Sequence, residues 1–180
     1  MTQPFPIIVV PTDAAVATEA MGTKFKFWFH HPFWGYCLYK QARSNTGEDW
    51  AEKIASQLCE LLELPHARIE LATWNHNRGT VSPSFVPDAG NLIQGNEILA
   101  PMVPDYPQFQ TFNVSQHTLD IVLIAIGNNA VQIPLSWIPP KGITTAVETF
   151  LGYLLLDAWI GNSDRHHENW AFIENPRISS

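Results

Sequence analysis

Positive charge is scarce in this 180-residue chain: Lys and Arg total 10 against 17 Asp and Glu, for a formal net charge of −7 and a pI near 5.4. That balance argues against a protein that blankets phosphates with basic side chains, and no direct nucleic-acid partner is expected. Cysteine is nearly absent as well. Cys37 and Cys59 have no CxxC spacing and no Cys/His neighbourhood, which favours two buried free thiols over a disulfide or metal site. A reducing cytoplasm fits that state. Long hydrophobic runs are missing too. The opening MTQPFPIIVVPTD has no basic flank and only a short apolar stretch, so neither a signal peptide nor a membrane span is expected. Internal repeats and low-complexity tracts are not visible.

What the chain does have is apolar mass. Hydrophobic residues make up 46% and charged residues 15%, enough to build the core of one domain or two small lobes. The first part reads as β-rich. FPIIVV is a short apolar strand, KFKFWFH alternates Lys24 and Lys26 with Phe25, Phe27 and Phe29, and GYCLYK returns after the turn HHPFWG as the second strand of a hairpin ending at Lys40. Residues 46–63 place Trp50, Ile54, Leu58, Leu61 and Leu62 at helical spacing, with Thr46 and Asp49 arranged as a start signal. RIELAT then reads as a strand, while 74–113 is too rich in Pro, Gly and Asn to assign.

Two further helices are expected. Residues 115–127 begin at Ser115, end at Gly127 and carry Leu119, Val122, Leu123 and Ile126 on one face. After the proline-punctuated QIPLSWIPPKG, Thr145 and Glu148 form a capping box. An apolar stripe follows through Val147, Phe150, Leu151, Leu154, Leu155 and Trp159, stopped by Gly161. Trp28, Trp34, Trp50 and Trp159 are expected in the core.

The run GNSDRHHENW starts where this last helix stops. Asp164 and Asn169 lie five positions apart, a spacing that lets a carboxylate accept the proton of an attacking hydroxyl while an amide oxygen reaches a metal ion on phosphates. Arg165 beside that base would hold the loop or meet phosphate charge, and His166 would anchor it. Upstream, Lys40 ends a strand, and Glu48 and Glu52 share one face of the following helix, so either can hold the lysine on nucleotide phosphates. Gly22 can bring backbone close to phosphate. Adjacent histidines, His30–His31 and His166–His167, point in different directions along a strand or loop and make a poor zinc set. Taken singly, each of these residues also fits an ordinary turn, strand end or solvated helix face.

Through GTKFKFW, LYK, TGEDWAEKIASQL, LPHARIELA, LIQGNEIL and FLGYLLLDAWIGNSDRHHENW, the chain resembles the HipA-like serine/threonine kinases, in particular their compact kinase-domain-only relatives. The resemblance implies an α+β, protein-kinase-like fold. An N-terminal nucleotide-binding lobe of antiparallel strands with one helix would take residues 1–100, and a partial helical lobe with the catalytic loop residues 101–180. It implies ATP and Mg2+ as cofactors and a protein substrate. Lys40 would be the phosphate lysine, held by Glu52 or Glu48, with Gly22, Thr23 and Lys24 in the loop over the nucleotide. Asp164 would be the base, with Arg165 and His166 beside it, and Asn169 a metal ligand. Thr23, and less so Ser82 or Ser84, would accept phosphate in autophosphorylation. The DRHxxN loop is also similar to that of phosphoinositide kinases, but the acidic balance and the lack of a basic membrane-facing patch disfavour a lipid substrate.

One part of the family pattern has no counterpart. WAFIENPRISS, after Asn169, contains no second metal-binding Asp; only Glu174 stands near. Loss of metal neutralisation costs several kcal/mol of transition-state stabilisation, and each ~1.4 kcal/mol is tenfold in rate. Slow or absent catalysis by this chain alone is therefore expected. A nucleotide-binding module without turnover is the alternative, and an antitoxin-like or complementing C-terminal-lobe partner stays open.

Overall fold

The structure, a computed structural model, describes residues 4–18 and 24–174. The chain divides into two compact units, Met1–Phe85 and Val86–Ser180.

The first unit is a six-stranded sheet with one helix. Its strands are β1 (Ile7–Val9), β2 (Ala17–Thr18), β3 (Lys26–His31), β4 (Gly35–Gln41), β5 (Glu70–Trp74) and β6 (Asn77–Pro83), and α1 spans Glu48–Leu61. The spatial order is β1-β5-β6-β4-β3-β2, antiparallel except for β1 against β5. The expected hairpin is there: Lys26 pairs with Lys40 and His31 with Gly35 across β3 and β4. The period of two in β3 drives Phe27 and Phe29 inward, where with Tyr39 and Val81 they are at most 1% exposed. Each such side chain contributes about 1.5–3 kcal/mol by leaving water. Cys37 and Cys59 are buried free thiols.

The helix α1 forms where its periodicity placed it, but it faces the other way. Its buried residues are Asp49, Lys53, Ser56 and Cys59, while Trp50, Ile54 and Leu61 are 52%, 45% and 75% exposed. The sheet beneath explains this. Glu70, Arg78 and Thr80 are polar, so charge pairing decides which face turns in: Arg78 grips the Asp49 carboxylate at 2.9 and 3.0 Å, and Lys53 Nζ reaches Glu70 at 2.9 Å. The helix start differs as well. Gly47 is the cap residue without a side-chain bond, and Thr46 donates its hydroxyl back to the Arg43 carbonyl instead.

In the second unit, β7 (Asn91–Gln94) pairs antiparallel with β8 (Ala171–Glu174), joined by α2 (Gly95–Leu99), α3 (Leu119–Ile126) and α4 (Ala146–Ile160). Because β7 and α2 belong with β8, the division falls after Phe85 rather than after residue 100. The core gathers Leu99, Tyr106, Val122, Ala125, Ile126, Phe150 and Trp170. Thr118, not Ser115, caps α3, accepting from the Ile121 amide. For α4 the capping box is as expected: the Thr145 hydroxyl accepts from the Glu148 amide and the Glu148 carboxylate accepts from the Thr145 amide. Gly161, at φ 69°, ends the helix in the left-handed region. Leu155 and Trp159 lie outward, 73% and 62% exposed, because α4 turns Thr149, Phe150, Leu156 and Asp157 inward. Among the described residues no helix is long and apolar enough to cross a membrane.

Candidate functional site

In the first unit, the site is built where α1 crosses the end of β4. Register sets Lys40 beside Thr80 of β6, and both side chains converge on one helix carboxylate. Lys40 Nζ lies 2.6 Å from Glu52 Oε1, and the Thr80 hydroxyl donates to Glu52 Oε2 at 3.1 Å. Glu48, one turn earlier, serves different partners. Lys24 Nζ is 3.3 Å away, Arg43 Nη1 is 3.2 Å away, and the Arg43 backbone amide donates to it at 2.9 Å. That amide, helped by the Lys24 and Arg43 cations, holds the Glu48 carboxyl below the ordinary carboxylate range. Lys24 also stands 3.7 Å from Glu52. The choice left open by sequence is thus made by geometry: Glu52 is the partner of Lys40, and Glu48 ties Lys24 to the turn before α1. Gly22 and Thr23 lie outside the described residues.

In the second unit, the loop after α4 brings Asp164, Arg165, His166 and Asn169 together. The Asp164 side chain is 71% exposed, with His166 Nε2 3.7 Å from its carboxylate. Asn169 donates its amide nitrogen to the Asp164 backbone carbonyl at 2.6 Å, closing the loop on itself. Arg165 does not point at a free charge. Its Nε and Nη2 take the Asp157 carboxylate at 2.7 and 2.8 Å, and Nη1 donates to the Asn169 carbonyl at 2.9 Å. His166 Nδ1 accepts from the Glu168 amide at 3.3 Å.

A cleft of about 240 Å³ opens beside Asp164, lined among others by Phe112, His117, Ser163, His166 and His167. Its floor is fixed by a buried network. His167 is fully buried with Tyr106 Oη 2.8 Å from its Nδ1, and Trp170 Nε1 donates to His117 Nε2 at 3.2 Å. Burial pushes both imidazoles below the usual histidine range, with neighbouring histidines adding to it. The start of α2 secures the loop from below: Asn96 N donates to the His167 carbonyl and Gly95 N to the Trp170 carbonyl.

Sequence reasoning did not single out Asp157, Tyr106 or His117. Asp157 had a signal, a carboxylate on the inner face of an otherwise apolar helix. Tyr106 sits in a stretch without periodicity, and His117 falls in the segment read as the first turn of a helix, whereas the helix starts only after Thr118.

The donor chemistry suits a hard cation. Asn169 commits its amide nitrogen to the Asp164 carbonyl, which leaves its side-chain oxygen as the atom that could meet such an ion. Magnesium takes few protein oxygens and completes its shell with phosphates and water. Among the described residues no cluster of three His, Cys, Asp or Glu is placed to cage a metal. Glu174, at the end of β8, accepts instead from the Asn91 amide at 3.2 Å.

No family model and no curated protein matches the sequence. A solved structure does: the Helicobacter pylori proinflammatory kinase CtkA, at 18% identity and a TM-score of 0.69. The match covers 96% of this chain and 56% of that one, so the chain spans just over half of that protein's length. At that identity the likeness speaks for architecture, and this mixed α+β chain accordingly has a kinase-like fold.

Proposed function

We propose that this chain is an ATP-dependent phosphotransferase of the HipA-like type, moving the γ-phosphoryl group of ATP to Ser or Thr hydroxyls of a protein. The observation that carries the reading is the Lys40–Glu52 pair at 2.6 Å: a strand lysine oriented by a helix carboxylate, on a kinase-like fold. Lys40 neutralises nucleotide phosphate charge, and Glu52 fixes the direction of its ammonium. Asp164 accepts the hydroxyl proton as the oxygen forms its bond to the γ-phosphorus and the bond from that phosphorus to ADP breaks. Asn169 supplies the side-chain oxygen that would hold magnesium, whose charge would offset that on the transferred group. The cleft beside Asp164 receives the acceptor side chain.

Incubating the chain with γ-labelled ATP, magnesium and a Ser/Thr-rich acceptor protein tests this reading, with Asp164→Ala as control. Label transfer that is slow, for want of the second metal-binding carboxylate, and that disappears in the variant is the expected result; equal labelling by both proteins overturns it. A second reading, nucleotide binding without turnover, is favoured by one observation: the carboxylate following Asn169, that of Glu174, is engaged by Asn91. It predicts an ATP-dependent rise in melting temperature without label transfer.

A further inference from the structure

Asp157 is 6% exposed, and a buried carboxylate on an apolar helix is costly unless it is fully paired. Here its pairing is directed at one place. Oδ1 accepts from Asn162 Nδ2 at 2.8 Å and from Arg165 Nη2 at 2.8 Å, while Oδ2 accepts from Arg165 Nε at 2.7 Å. Each partner passes the constraint on. The Asn162 side-chain oxygen accepts from the Asp164 amide at 3.2 Å, and Arg165 Nη1 donates to the Asn169 carbonyl at 2.9 Å. The two arms therefore end on the backbone of the two residues assigned to base and metal. Even the helix carbonyl joins in, accepting from the Asn162 amide at 2.8 Å. Burial by itself would push the Asp157 carboxyl up, but the bonds from Arg165 and Asn162 and the guanidinium charge outweigh it and hold it below the ordinary range.

We propose that Asp157 is a positioning residue: through Arg165 and Asn162 it clamps the backbone on both sides of the catalytic loop, so that Asp164 and Asn169 are presented in one fixed geometry. The kinetic part rests on the phosphotransfer reading; the clamp itself does not. Displacing a catalytic group by even a small distance lowers the rate without changing how the nucleotide binds elsewhere.

The test uses the full chain and the variants Asp157→Asn, Arg165→Ala, their double, and Asn162→Ala, which cuts only the exposed arm. Amide hydrogen exchange is followed in 162–169 and, separately, in α3 and α4. Asp157→Asn is expected to speed loop exchange about tenfold while leaving helix amides unchanged, and Asn162→Ala to do so less. Transfer should slow about tenfold in kcat, with KM for ATP held within about twofold. The double variant should be no worse than Asp157→Asn, because both residues belong to one unit. Unchanged loop exchange in Asp157→Asn overturns the clamp, and so does a rise spread through α3 and α4, which would make the carboxylate a general stabiliser. If the unaltered chain transfers no label beyond the Asp164→Ala background, the phosphotransfer reading falls, and loop exchange still decides the clamp.

Discussion

Lys53 Nζ sits 2.9 Å from Glu70 Oε2, and both side chains are buried, at 5% and 8% exposure. The lysine also donates to the Ile69 carbonyl at 2.9 Å, and Arg68 Nε donates to the other Glu70 oxygen at 2.9 Å. This pair pins α1 to β5. Lys53→Met leaves a buried carboxylate with only Arg68 for company and is expected to cost about 3–5 kcal/mol, whereas the double variant Lys53→Met with Glu70→Leu should recover most of it. Urea unfolding of the four proteins of the cycle reads both values. A double variant as unstable as the single would show that the pair's charge, and not its desolvation, sets stability.

The same pair explains why part of the fold was hidden in the sequence. Periodicity found α1 and α4 because helical spacing is local, and the capping box at Thr145 and the stop at Gly161 are local as well. Which face of α1 turns inward is not. It depends on Glu70 and Arg78, which lie along other strands, and their charges override the apolar stripe through Trp50, Ile54 and Leu61. The site divides in the same way. The closeness of Asp164 and Asn169 within one loop follows from their spacing, while the preference of Lys40 for Glu52 needed the register that brings Thr80 alongside. Asp157 is the one carboxylate of the apolar helix α4 beyond its first turn, and its partners come from the loop that folds back onto it.

Glu52 and Glu48, four residues apart, should separate in their effect on nucleotide binding. Lys40→Met is expected to abolish the ATP-dependent rise in melting temperature. Glu52→Gln, which releases the lysine, should weaken ATP binding about tenfold. Glu48→Gln acts through Lys24 and Arg43 and should weaken it by no more than about threefold. Titration calorimetry with ATP and magnesium ranks the three; an effect of Glu48→Gln larger than that of Glu52→Gln would reverse the assignment.

Acid should loosen the second unit well before its carboxylates protonate. His117 takes the Trp170 indole proton on Nε2, which requires that nitrogen to be unprotonated, and burial lowers the pKa of both His117 and His167 from about 6.5. A depressed histidine means that the unfolded chain binds protons more readily than the folded one. The stabilisation is therefore fully present above the unfolded pKa near 6.5 and is lost as pH falls below it toward the lower folded value. Denaturant midpoints measured from pH 8 to pH 5, using Trp fluorescence, should fall through the lower half of that range. His117→Gln keeps an acceptor for Trp170 but cannot titrate, so its slope should be shallower; an unchanged slope would assign the pH dependence to other groups.

Gly95 marks a tight approach beneath the loop that follows α4. A Cβ there would fall on the Trp170 ring and on the His167 carbonyl, and neither can retreat: Trp170 is packed against Phe150, and the His167 carbonyl accepts from the Asn96 amide. Gly95→Ala is therefore expected to destabilise by about 1–3 kcal/mol through overpacking, despite the better helix propensity of alanine. It should also displace the 167–170 segment and with it Asn169, whose place depends on that backbone. Gly142→Ala is the control. That glycine, at φ 102°, has open space around its Cβ position, so the variant suffers backbone strain without a clash. Comparing melting temperatures with ATP-dependent shifts separates the two causes: both variants lose stability, and only Gly95→Ala should also lose the magnesium dependence of its ATP response.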